Sequence, residues 1–188
     1  MGEIIRQTMY VDKPYQSKVF DLVHTINDDG TEQRFDFKNV VPEPAEFPPV
    51  PATASDFERN HNTPQSYWRH HNWGCYMNAW DAKYRVNITM DSPFAGLIGL
   101  DFMTKNGSPW YVFLNLSHMF PEATFTVFYY YEAGNELAWE KEVFKGGYMV
   151  ENIKNWQDYD KYDRVMRGQP LDKEDLERFP VEGVLVAS

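Results

Sequence analysis

The period of apolar and polar positions changes several times along this chain, and each change marks an element. Residues 3–11 (EIIRQTMYV) read as a first strand that ends at the turn-forming Asp12-Lys13-Pro14. Over 15–26, Val19, Leu22, Val23 and Ile26 recur at helical spacing, which predicts a helix stopped by residues 27–30 (NDDG), with Gly30 in a left-handed turn. Residues 34–37 (RFDF) alternate, and residues 42–51 then carry five prolines in ten positions. That density excludes helix and central strand and predicts an extended connector on the surface. Residues 55–72 read as helical with an interruption at Pro64, and 84–90 and 96–103 read as two strands joined through Asp91-Ser92-Pro93. Ser108-Pro109 starts a helix over 109–119, with Trp110, Phe113, Leu114 and Leu116 apolar and Pro121 as its stop. Residues 123–131 (ATFTVFYYY) are the strongest strand; it turns at 133–135 into 136–144, and Gly146-Gly147 closes the hairpin.

From residue 84 the predicted order is β-β-α-β-β, which a sheet with helices on one face satisfies: an α+β architecture. Residues 151–168 carry Ile153, Trp156 and Val165 on a charged background and read as an amphipathic helix, with a second short helix over 170–179 capped by Asp172. The expected organisation is therefore an α+β domain over 1–150, with an N-terminal strand-helix extension, and an acidic helical tail over 151–188 packed on or beside it.

Charge changes the picture of function. The chain carries 28 acidic and 18 basic residues in 188, a net charge of −10. Residues 1–60 contribute −5 (11 acids, 6 bases), 61–150 contribute −2 (8 and 6) and 151–188 contribute −3 (9 and 6). Such a balance lacks a basic footprint for nucleic acid and repels anionic membranes, while suiting a partner with a basic surface. Asp158, Asp160, Asp163, Asp172, Glu174, Asp175 and Glu177 are the candidate partner-facing charges of the tail. A single cysteine, no apolar leader and no run of 18 apolar residues lead to the expectation of a cytoplasmic protein of a reducing compartment, not bound to a membrane.

Candidate chemistry is sparse. His61, His70, His71, Cys75 and Asp81 contain the residue types of a metal or thiol site, but only one short-spaced pair, His71 with Cys75, where a zinc site needs two. The glycines form no phosphate-binding loop. No metal, no cofactor and no catalytic group are therefore assigned. Trp68, Trp73, Tyr76 and Trp80 surround an Asn-Ala-Trp-Asp turn. The block reads first as rings folded over the sheet, with Gly74 permitting close approach and Asn78 satisfying loop backbone groups; Trp68, Tyr76 and Trp80 are its candidate partner-binding residues.

Five blocks in fixed order carry a resemblance: residues 34–44, 73–82, 101–109, 119–125 and 130–136. The positions are Phe35, Phe37, Pro42, Trp73, Gly74, Asn78, Ala79, Phe102, Thr104, Ser108, Pro109, Tyr131 and Glu132. Over roughly residues 34–147 the chain resembles the YubB-like family of plasmid leading regions and phages. The resemblance implies a ferredoxin-like fold and a mobile-element origin, with no established activity to carry over. The reading adopted is a non-enzymatic protein that blocks a host protein, such as a defence or nucleic-acid-binding factor, in a bacterial cytoplasm. Two alternatives stand beside it: an RNA- or DNA-binding accessory stacking bases on Phe125, Phe128, Tyr129, Tyr130 and Tyr131, and a metal- or thiol-dependent enzyme centred on His70, His71 and Cys75.

Overall fold

The computed structural model describes residues 4–48, 53, 55, 63–87, 94–133 and 136–158, and the side chains of these except 132–139 and 154–158. Three helices are described: α1 (Gln16–Val23), α2 (Pro64–Asn72) and α3 (Trp110–Met119). The strands are β1 (Ile4–Val11), β2 (Thr25–Ile26), β3 (Glu32–Gln33), β4 (Trp80–Val86), β5 (Ile98–Lys105), β6 (Phe125–Ala133), β7 (Glu136–Lys145) and β8 (Tyr148–Asp158). β2 and β3 form a small hairpin, and the other six make one sheet in the order β4-β5-β1-β6-β7-β8, antiparallel throughout. The architecture is α+β.

Strand alternation divides the sheet into two faces. One carries Ile5, Met9 and Val11 of β1, Leu100 and Phe102 of β5, Phe125, Val127 and Tyr129 of β6, and Phe144 of β7, aligned by register. These side chains share a single buried cluster with Val19, Phe20 and Val23 of α1 and with Val112, Phe113 and Leu116 of α3. Phe35 and Phe37 close it, edge-on to each other at 4.9 Å, with Phe35 edge-on to Phe102 at 4.8 Å. On the opposite face Tyr10 stacks on Phe94 at 4.5 Å, and Thr8 donates to Asp101. Burial raises the Asp101 carboxyl above its ordinary range, opposed by the facing Arg85 guanidinium at 3.0 Å.

Several expectations change. The first helix ends at Val23, three residues early, and Ile26 stands 70% exposed on β2. The cause is local: the Val23 carbonyl accepts from Asp36 N–H, and Asn39 Nδ2 donates to the Leu22 carbonyl, so the returning chain takes the helix's terminal acceptors. Gly30, at φ +81°, turns the β2–β3 hairpin instead of capping the helix. Pro64 opens α2 rather than interrupting a longer helix, because Thr63 and Ser66 exchange side-chain and backbone hydrogen bonds as a capping box; residues 56–62 lie outside the described residues.

The predicted tail helix is also corrected. Residues 151–158 belong to β8, which pairs with β7 from Tyr148 to Asp158, so the expected division at residue 150 falls inside a strand. Gly146 and Gly147, both at positive φ, turn β7 into β8. The helical spacing of Ile153, Trp156 and Val165 does not mark a buried helix face here: Ile153 is 43% exposed on an edge strand. The rest of the tail lies outside the described residues.

Candidate functional site

The aromatic block after α2 is packed into the core. Trp73 is fully buried, edge-on to Phe37 at 5.6 Å and to Trp68 at 5.8 Å, and its indole N–H donates to the Val41 carbonyl at 2.9 Å. Gly74 has φ +95°, and a Cβ there would collide with the Ser108 carbonyl, so glycine is required on both counts. Asn78 accepts from the Phe37 and Ala79 N–H groups and donates to Asp36 at 2.7 Å, tying the loop to the 34–37 segment. The connector is anchored to the same place: Glu43 pairs with Arg69, and Phe47 lies edge-on to Trp68 at 6.2 Å. Trp68, Tyr76 and Trp80 are half-buried, and Tyr76 packs on His70 at 4.7 Å. Trp68 and Tyr76 have their rings engaged by the fold they help to close, and Trp80 opens β4.

The thiol reading loses its nucleophile. Cys75 is fully buried and donates to the Met77 carbonyl, and burial pushes its thiol up to about 12. A reactive cysteine needs the opposite environment, exposed and electropositive. His70 and His71 are exposed, with His71 Nδ1 2.8 Å from the Tyr67 carbonyl. Among the described residues no three His, Cys, Asp or Glu side chains converge as a metal would require.

The proposed base-stacking rings are buried as well. Phe125 and Tyr129 lie under the helices, Phe128 and Tyr130 are buried on the other face, and only Tyr131 is half-buried. Of the tail acids, Asp158 sits at the end of β8, paired with Glu136, on a strand and not on the predicted helix. Asp160, Asp163, Asp172, Glu174, Asp175 and Glu177 lie outside the described residues.

A different site appears where the helix-covered face extends past α3. Ile5, Ser108, Tyr129, Tyr131, Glu140 and Glu142 line a cleft of about 200 Å³. Register places Tyr129 beside Glu140 and Val127 beside Glu142, so two tyrosines and two glutamates share one face of adjacent strands. The phenols reach diagonally: Tyr129 donates to Glu142 Oε2 at 2.6 Å and Tyr131 to Glu140 Oε1 at 2.5 Å. Asn152 of β8 donates to Glu142 Oε1 at 2.9 Å. Burial, and next the Glu142 carboxylate, push the Tyr129 phenol well above its ordinary range, so it remains a donor. Ser108 Oγ is shielded from solvent beside that phenol but makes no hydrogen bond of good geometry.

Sequence reasoning missed this cleft because the acids looked scattered. The available signal was paired spacing: Tyr129 with Tyr131 and Glu140 with Glu142, each two apart on predicted strands of one hairpin.

Comparison with known proteins adds little. No family model and no curated protein matches the chain. A crystal structure of a protein api92 from Yersinia pseudotuberculosis, of the family model DUF1281, is similar at 14% identity and a TM-score of 0.41, covering 67% of this chain and 43% of that one. The chain thus matches less than half the length of that protein. Among the described residues no helix is long and apolar enough to cross a membrane.

Proposed function

We propose that this chain is a non-catalytic binding protein of phage or plasmid origin that acts in the bacterial cytoplasm on a host protein with a basic surface, such as a defence or nucleic-acid-binding factor. The observation that carries the reading is the charge of the chain, −10 in 188 residues, with acids in excess over each of residues 1–60, 61–150 and 151–188. Such a surface favours a basic partner over an anionic one and requires no chemistry from the protein. The burial of Cys75 and of four of the five candidate stacking rings weighs against the enzyme and nucleic-acid alternatives.

A finer reading of the fold accompanies this. The succession β1-α1-β4-β5-α3-β6 with spatial order β6-β1-β5-β4 is the arrangement of a ferredoxin-like unit, to which β7 and β8 add two further strands. This supports the resemblance to the YubB-like family. The acids of the tail, Asp158, Asp160 and Asp163 first, are proposed to steer a basic partner toward the domain at low ionic strength.

The test is capture of host proteins on the immobilised full chain, with bound proteins and nucleic acids both identified. The expected result is a protein with a basic surface, retained at low salt and released at high salt. Neutralising Asp158, Asp160 and Asp163 together is expected to slow association at low salt only. Retention of nuclease-sensitive material alone, or turnover that depends on Cys75 or His71, overturns the reading.

A further inference from the structure

We infer that β8 is a self-association edge: two copies of the chain pair antiparallel along it about a two-fold axis, joining their six-stranded sheets into one. The inference goes beyond the partner binding proposed above and does not depend on it.

The two outer strands of the sheet differ in how they meet solvent. Among the described residues β4 and β8 lie at its ends. The β4 edge is guarded. Its register shifts between Trp80 and Lys83, and Asp81 there holds φ +50°. Exposed Asp81, Lys83 and Arg85 sit in ion pairs, Lys83 with Asp81 at 2.7 Å and Arg85 with Asp101 at 3.0 Å. The Tyr84 ring packs on Phe20 at 4.9 Å, and its hydroxyl donates to the Arg34 carbonyl, so another segment lies beside the strand. A bulge, charges and a neighbouring segment are the devices that keep a sheet edge from pairing with another chain.

β8 is guarded far less. Its bulge falls at Val150, next to the turn, and the eight residues from Glu151 to Asp158 then face Val143 to Glu136 in unbroken register. All of residues 148–153 are exposed, with Tyr148 at 73%, Val150 at 59% and Met149 at 45% beside Ile153. Single exposed apolar residues are ordinary, but four in six positions on a long edge make a pairing template.

Charge selects the occupant. A chain of net charge −10 repels its own copy over most of its surface. Residues 145–157 are an exception, with two lysines, Lys145 and Lys154, and one acid, Glu151. That acid already pairs with Lys141 at 3.2 Å. A basic strand therefore finds no excess of acid here, whereas a second copy approaches without repulsion. Pairing centred on Ile153 sets Ile153 opposite itself, Asn152 opposite Lys154 and Glu151 opposite Asn155, so no like charges face one another. Centring on Glu151 or Lys154 would oppose like charges and is disfavoured. Four apolar side chains from each copy and a ladder of backbone hydrogen bonds bring the interface near the roughly 1,000 Å² at which specific association begins. A dissociation constant on the order of micromolar follows.

The experiment is analytical ultracentrifugation of the full chain across concentrations from well below to well above micromolar. A reversible monomer–dimer equilibrium is expected. Ile153→Lys, at an exposed position, is expected to leave the melting curve unchanged and to weaken the dimer at least tenfold. Val86→Lys, at an equally exposed position of the β4 edge, is expected to leave the dimer as it is. A second readout does not depend on the charge change: with oxidised glutathione, Ile153→Cys is expected to cross-link two copies, and Val86→Cys to remain a monomer in denaturing gels. A chain that stays monomeric at every concentration overturns the inference, whether or not a strand of another protein is captured at the same edge. Equal dimerisation in Ile153→Lys, or cross-linking as fast in Val86→Cys as in Ile153→Cys, overturns it too.

Discussion

Around Trp73 the helix-side face of the sheet is closed by ring against ring, whereas toward β7 the same face is lined by phenols and carboxylates. In the first region the polar groups are tied into the fold: the indole N–H donates to the Val41 carbonyl, and Asn78 accepts from the Phe37 and Ala79 N–H groups and donates to the Asp36 carboxylate. In the second, charged groups are positioned by tyrosines, and Ser108 Oγ lies beside the Tyr129 phenol without a hydrogen bond of good geometry. The first arrangement maximises burial and fixes one conformation. The second gives up packing to hold charge near solvent, which is how a polar recess differs from a core. Residues that look alike in composition, aromatic with polar neighbours, thus serve opposite ends.

The comparison breaks most readily at Trp73. Trp73→Ala is expected to destabilise the fold by about 3–5 kcal/mol, since a fully buried indole and its packing against Phe37 and Trp68 are lost. Denaturant melts measure it. A variant of wild-type stability that fails to bind its partner would assign this block to recognition instead.

The next largest effect is alkaline. The folded-state value of Cys75 lies near 12 against an ordinary 9.0, so folding favours the protonated thiol. Stability from this group is therefore fully present below about pH 9 and falls as pH rises toward 12, by at most about 4 kcal/mol. Tyr129, shifted in the same direction, adds to the fall above its ordinary value of 10.0. Unfolding free energy measured against pH is expected to slope downward above pH 9 in the wild type, and the slope in Cys75→Ala to begin about one unit higher. Equal slopes in both proteins would place the thiol in water. A thiol reagent at neutral pH is expected to react only as fast as the protein opens.

The smallest effect sharpens the contrast. Tyr131→Phe removes one hydroxyl from a half-buried ring and is expected to change stability by under about 1 kcal/mol. Loss of stability comparable to that of Trp73→Ala would make the cleft a second core.

Much of the fold was legible in the chain. β1, β5, β6, β7 and α3 announced themselves by alternation, by helical spacing and by Pro109 and Pro121, because a sheet with one covered face and a helix beneath it impose those periods on sequence. Local chemistry was legible too: Gly74 and Asn78 sit where close approach and loop satisfaction need them. What misled were short-range readings overruled at a distance. The α1 terminus is decided by Asp36 and Asn39, more than ten residues away, and residues 151–158 are a strand because β7 offers an unpaired edge to them. The cleft belongs to the same class. Tyr129 and Tyr131 lie on one strand, Glu140 and Glu142 on the next, and Ser108 before a helix, so their convergence depends on register and on the starting point of α3. The sequence by itself determined which segments are apolar enough to pair and pack, since that is a property of each residue and its near neighbours. Which polar groups face one another was decided only by the tertiary structure, because a hydrogen bond depends on positions that pairing between distant segments sets.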